Sequence, residues 1–154
     1  MLFFLSLFAN QFQFDDFNVA PRDTGTKRVI MGYLSYWGGV QVRNIPGDYF
    51  THIVYSFANI DVRSGKVVPG TDDDVHKITK IIDDCACCAK GNYNLLFQLR
   101  KEYPHLRVLL SIGGYSWSGN FAPVIGDSTK RQAFIDSAID LIVQYGFDGL
   151  DVDW

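Results

Sequence analysis

From Val29 onward the chain alternates two patterns: short apolar runs closed by turn residues, and longer stretches in which apolar positions return every three or four residues. The first pattern is that of β-strands and the second that of amphipathic helices, so their alternation predicts βα units around a parallel sheet. Strands are predicted at "RVIMGYLSYW", "THIVYSFANID", "LRVLLSIGG" and "FDGLDVDW". β-Branched and aromatic residues favour the first two, and the third is the nearly continuous apolar run expected of a strand covered on both faces.

The segments between these runs carry helix and turn signals. "GGVQVRNIPGDYF" reads as a loop with at most a short helix, and "SGKVVPG" as a turn-bounded excursion. Asp72, Asp73 and Asp74 favour a helix N-terminus for "DDDVHKITKIIDDCACCAK", with Val75, Ile78, Ile81 and Ile82 on one face. "NYNLLFQLRKEY" continues as a helix that Pro104 ends. "STKRQAFIDSAIDLIVQYG" has Thr129 and Gln132 at capping-box spacing, an apolar stripe of Phe134, Ala138, Leu141, Ile142 and Tyr145, and Gly146 as its C′ residue.

Composition narrows the function. The chain has 154 residues with 47% hydrophobic and 20% charged, enough to bury a core. A net charge of −3 and no basic block beyond Lys27-Arg28 argue against a nucleic-acid partner. Residues 1–28 read as a signal peptide followed by a pro-segment or linker. The opening "MLFFLSLFANQFQF" has the length of a signal-peptide apolar region and is too short to span a bilayer, although it lacks a basic leader. All three cysteines, Cys85, Cys87 and Cys88, fall in one short stretch with no second pair or suitable histidine nearby. That argues against a structural zinc site and leaves helix packing or a disulfide to another part of the protein.

The last predicted strand carries the chemistry. Strand alternation puts Asp151 and Asp153 on one face, with Leu150, Val152 and Trp154 on the other. Their Cβ atoms would lie about 6–7 Å apart. Burying unpaired carboxylates is costly, so a strand seldom keeps two for packing alone. Asp148, beside Gly149, reads as a turn or support residue. At the exit of the third strand, Gly113 and Gly114 allow a turn or the close approach of a ligand, and Tyr115 and Trp117 place rings where a sugar face would stack. Aromatic packing under the loop is the competing reading.

Taken together and in order, "GYLSYW", "THIVYSFANI", "SIGG" and "DGLDVDW" resemble the first four strand motifs of the glycoside hydrolase family 18 chitinases, most nearly the secreted fungal type. "DGLDVDW" matches the signature D-G-x-D-x-D-x-E at every defined position but the final acid, which would be the next residue. The resemblance runs from about Val29 to Trp154. It implies an α/β fold, the (β/α)8 TIM barrel, with residues 29–154 as the N-terminal half of the catalytic domain, holding about its first four strands and truncated before the catalytic Glu.

The activity implied by the resemblance is hydrolysis of β-1,4-linked N-acetylglucosamine polymers outside the cell. Chitin or chitooligosaccharides would be the substrates, with no cofactor, no metal and no membrane span. In that mechanism the substrate's own acetamido oxygen attacks the anomeric carbon. The resemblance makes Asp153 the residue that orients the acetamido group and Asp151 the partner that shares its proton. Asp148 and Ser111 become structural support, and Tyr33, Phe57, Gly113, Gly114 and Tyr115 line the substrate site. Tyr33 and Ser111 match positions that hydrogen-bond the Asp151 region, while Tyr115 stands where the family usually has Trp. Without the general acid, residues 1–154 by themselves are expected to be inactive. The alternative is a non-catalytic chitin-binding lectin of the same fold.

Overall fold

The computed structural model of the protein describes residues 28–75 and 91–154. Four parallel strands, β1 (Met31–Ser35), β2 (His52–Ile60), β4 (Arg107–Gly113) and β5 (Gly149–Asp153), lie side by side in chain order, and a two-residue β3 (Val67–Val68) pairs antiparallel with the end of β2. Parallel neighbours added in sequence order, each reached by a crossover, are what a βα barrel requires. The register sets Ser35 beside Ser56, Ser56 beside Ser111, and Ser111 beside Asp151.

Three helices are described: α1 (Gly91–Glu102), α2 (Phe121–Ile125) and α3 (Ser128–Tyr145). They cover the sheet face that carries Ile53, Tyr55, Val108, Leu110 and Ile112, all at most 2% exposed. Tyr93, Leu95, Leu96 and Leu99 of α1 and Ala138 and Leu141 of α3 complete this core. Tyr93 meets Tyr55, Tyr145 and Phe147 edge-on, with centroids 5.0–5.6 Å apart. Such edge-to-face contacts fix ring orientation as well as burying area.

All four predicted strands form, with trimmed ends. β1 stops at Ser35 because a turn follows, closed by Gly38 N–H donating to the Ser35 carbonyl at 3.2 Å, so Tyr36 and Trp37 leave the sheet. The loop "GGVQVRNIPGDYF" holds two short 3₁₀ turns, Val42–Asn44 and Gly47–Tyr49. "SGKVVPG" supplies β3, which the turn-bounded reading does not assign.

Three helix starts differ from expectation. Asp72–Asp74 form a 3₁₀ turn, and the predicted stripe of Ile78, Ile81 and Ile82 lies outside the described residues, as do the three cysteines and residues 1–27. α1 begins at Gly91, which has φ 75°, a value outside α-helical backbone, and a Cβ there would meet the Asp74 carbonyl oxygen at 2.2 Å. α3 is capped by Asp127 and not by Thr129. The Asp127 carboxylate accepts from the N–H groups of Thr129 and Lys130 at 2.8 and 3.0 Å, and these contacts hold its carboxyl below the usual carboxylate range. Gly146 ends the helix in the left-handed conformation, φ 70°, as the sequence predicts.

Candidate active site at the ends of the parallel strands

The sheet face opposite the helices holds the polar side chains. Asp151 sits on β5, and its Oδ2 accepts from the Ser111 hydroxyl on neighbouring β4 at 2.8 Å. The Tyr33 hydroxyl reaches the same oxygen from β1 at 3.2 Å. Three strands therefore converge on one carboxylate oxygen. Burial, then the charge of Asp151, the hydrogen bond to it and the charge of Asp153 all push the Tyr33 phenol above its ordinary value, so it stays protonated and donates. Asp153, two residues on and facing the same way, is exposed at the C-terminal end of β5. Neither Asp151 nor Asp153 forms an ion pair with a described residue.

The exit of β4 is tied to the end of β5. Gly114 N–H donates to the Asp153 carbonyl at 2.9 Å, and the Ser118 hydroxyl donates to the Gly114 carbonyl at 2.9 Å and toward that of Asp153 at 3.3 Å. Gly113 and Gly114 have φ of 105° and 77°, which L side chains rarely adopt. The close approach they permit is to the chain itself. A Cβ at Gly113 would lie 2.5 Å from both the Asp153 carbonyl oxygen and the Phe121 ring, and one at Gly114 would lie 2.6 Å from the Phe57 ring. The glycine pair thus sets the backbone path of the loop, and the ligand approach suggested by sequence is taken up by the protein's own groups.

Aromatic side chains surround this end. The Ser56–Phe57 peptide is cis, and the register of β2 against β4 shifts between Ser56 and Ala58. The Phe57 ring lies under Gly114 and stacks on Trp37, with centroids 5.9 Å apart and planes 26° from parallel. Tyr115 is fully exposed on the loop after Gly114. Trp154 stacks on Phe121 at 5.1 Å. Trp37, 60% exposed, is not singled out by sequence reasoning. Its position beside Tyr36, just past the end of β1, is the available signal.

Asp148 lies at the other end of β5. Its Oδ1 meets Arg107 at 2.9 Å and Arg100 at 3.0 Å, and its Oδ2 accepts from the Val108 N–H at 2.8 Å. All these contacts are to the scaffold. Sequence reasoning also misses a buried polar group, Asp74, which is 0% exposed and accepts from the Tyr55 hydroxyl and the Thr71 N–H. Asn92 donates to the same Tyr55 oxygen at 2.8 Å. Burial raises the Asp74 carboxyl above its ordinary value while these hydrogen bonds hold it back. In a run of three aspartates, a helix start explains each equally well and does not mark the buried one.

A cavity of about 240 Å³ lies on the helix side of β1 and β2, against Leu34, Tyr55 and Leu95, away from Asp151 and Asp153. Among the described residues there is no cluster of three or more metal-ligating side chains, and no helix is long and apolar enough to cross a membrane.

Residues 29–154 match the family model of the glycosyl hydrolases family 18. Chitinase 1 of Aphanocladium album is 33% identical over 143 residues, 88% of this chain and 33% of that protein. Among solved structures, chitinase ChiA74 from Bacillus thuringiensis superposes with a TM-score of 0.72 at 27% identity, over 83% of this chain and 27% of that one. Human YKL-39, described as a pseudo-chitinase with retained chitooligosaccharide binding properties, superposes with a TM-score of 0.66 at 31% identity, over 82% of this chain and 33% of that one. The chain thus spans about a third of the length of the curated relatives it matches.

Proposed function

The chain belongs to the glycosyl hydrolases family 18, and from that premise we propose that the protein hydrolyses chitin or chitooligosaccharides with retention of configuration, the substrate's acetamido group acting as nucleophile. The observation that carries this reading is the carboxylate pair on β5, with Asp151 held by two hydroxyl donors from other strands and Asp153 left open beside it. Hydroxyl donors fix a carboxylate without neutralising it, and an exposed neighbour is free to meet a ligand.

In the proposed cycle a proton passes to the glycosidic oxygen as the C1–O bond breaks. The acetamido carbonyl oxygen bonds to C1, giving a cyclic oxazolinium ion. Asp153 hydrogen-bonds the acetamido N–H, aims the carbonyl at C1 and stabilises the positive charge that develops. Asp151 takes up or releases the proton it shares with Asp153, and Tyr33 and Ser111 hold Asp151 while it does so. Water then opens the ring at C1 on the face that the leaving group vacated, its proton returning to the group that protonated the glycosidic oxygen, which restores the original anomer and the starting state of the donor. The proton donor must share the face of Asp151 and Asp153, and strand alternation puts the position after Trp154 there. Phe57 and Tyr115 offer apolar surface for the sugar rings, with Gly113 and Gly114 shaping the loop that carries Tyr115.

The same reading puts the protein outside the cell, where its polymer substrate is found, and takes the apolar stretch in "MLFFLSLFAN" as a signal peptide. A second reading, chitooligosaccharide binding without cleavage, is favoured by the likeness to YKL-39. The two are separated by following chitotetraose with the full-length protein by proton NMR. The hydrolase produces new reducing ends that appear first as the β anomer. Binding with no product would establish the second reading, and α anomer appearing first would overturn the substrate-assisted mechanism.

A further inference from the structure

The register row that contains Asp151 includes a buried hydroxyl with no partner. Ser35, Ser56, Ser111 and Asp151 stand side by side on β1, β2, β4 and β5. Register partners on parallel strands project from the same face, so Ser56 points where Ser111 points, toward the polar side of the sheet. Ser111 spends its proton on Asp151. Ser56 is 2% exposed, and its Oγ is buried with no hydrogen-bond partner. A buried hydroxyl without a partner is disfavoured, so a native strand keeps one where something completes it.

Neighbouring strands lie about 4.8 Å apart, too far for serine oxygens on adjacent strands to bond directly when both point straight out, and suited to one bridging water. The Ser111 oxygen, having donated, still has lone pairs to accept with. We propose that Ser56 is a positioning residue for Asp151: through one bound water its hydroxyl donates to Ser111 Oγ, completing the relay Ser56, water, Ser111, Asp151. An accepted hydrogen bond polarises the Ser111 O–H and strengthens its own donation, so the carboxylate is held more firmly than by Ser111 alone. Tyr33 holds the same Oδ2 from the other direction. The proposal rests on the hydrolytic reading of this site for its consequence, though not for its geometry.

Two measurements test it. In a high-resolution crystal structure of the full-length protein, a water should lie within hydrogen-bond distance of both Ser56 Oγ and Ser111 Oγ. A Ser56 hydroxyl bonded elsewhere, or no water between the two oxygens, overturns the relay. In kinetics, Ser56→Ala should lower kcat by about 5-fold at unchanged KM, the size of one lost hydrogen bond, and should have almost no further effect in a Ser111→Ala background. A silent Ser56→Ala, or effects that multiply independently, would show that Ser56 is only a packed residue. If the bridging water is present but the wild-type protein cleaves no chitooligosaccharide, the relay stands and the hydrolase reading falls. If the wild type turns over and Ser56→Ala is kinetically silent, the hydrolase reading stands and the relay falls.

Discussion

The two ends of β5 hold the same side chain in opposite environments. At the entrance, Asp148 is enclosed by two guanidinium groups and a backbone N–H, so its charge is matched by full positive charge. At the exit, Asp151 is met by the hydroxyls of Tyr33 and Ser111, and Asp153 is exposed. A carboxylate gripped by two cations and a backbone donor is fixed to the scaffold and serves the fold, whereas one held by hydroxyls alone stands beside an open neighbour at the strand exit. In βα barrels, function concentrates at the C-terminal ends of the strands and stability at the opposite face, and the proposed function divides the two roles along a single short strand.

The contrast is broken most strongly at the exit. Asp153→Asn in the full-length protein should lower kcat on chitooligosaccharides on the order of 10³-fold, the scale of losing a charge-stabilising group, with the melting temperature nearly unchanged. Full activity in that variant would remove Asp153 from the chemistry. At the entrance, Asp148→Ala should cost about 3 kcal/mol of stability, because it removes at once the carboxylate that Arg107 and the Val108 N–H bind and one of the partners of Arg100. Urea unfolding measures this, and a midpoint equal to wild type would contradict the proposed anchor. Tyr33→Phe sharpens the comparison further: loss of one 3.2 Å donor should reduce kcat by about 5-fold and leave stability within about 0.5 kcal/mol.

The smallest effect belongs to Asp74, a third environment, buried and met by the neutral donors of Tyr55 and Thr71. Its carboxyl is raised above the ordinary value mainly by burial, so in the folded protein it binds a proton more readily than in the unfolded chain. Its contribution to stability is therefore fully present below the ordinary carboxylate range and is lost as pH rises through the raised folded value. Asp74→Asn should become relatively more stable than wild type as pH climbs from about 4 toward 7. Thermal melts of both proteins across that range check it, and a constant difference between them would refute it.

The sheet and its order were legible because strand and helix periods are local properties of the chain: Val54 to Ala58 or Phe134 to Tyr145 declare themselves within a few residues. The spacing of Asp151 and Asp153 likewise put both acids on one face. What stayed hidden depends on distant partners. Tyr33 and Asp151 are 118 residues apart, and only the likeness of whole motifs linked them in the sequence. The burial of Asp74 against Tyr55, and the rings that fill the space beside Gly113 and Gly114, leave no periodic trace. Competition between nearby signals caused the misplaced cap of α3, where Asp127 supplies the oxygen that Thr129 and Gln132 suggested by spacing.

Rates of cleavage of chitotetraose and of its fully deacetylated counterpart by the full-length protein bear most directly on the claim that strand-end carboxylates work through the substrate's amide. If the acetamido oxygen is the nucleophile that Asp153 aims, the acetylated tetramer is cleaved and the deacetylated one is not. Comparable kcat/KM for both would mean that the reaction does without that oxygen, and the account of Asp151 and Asp153 would be wrong.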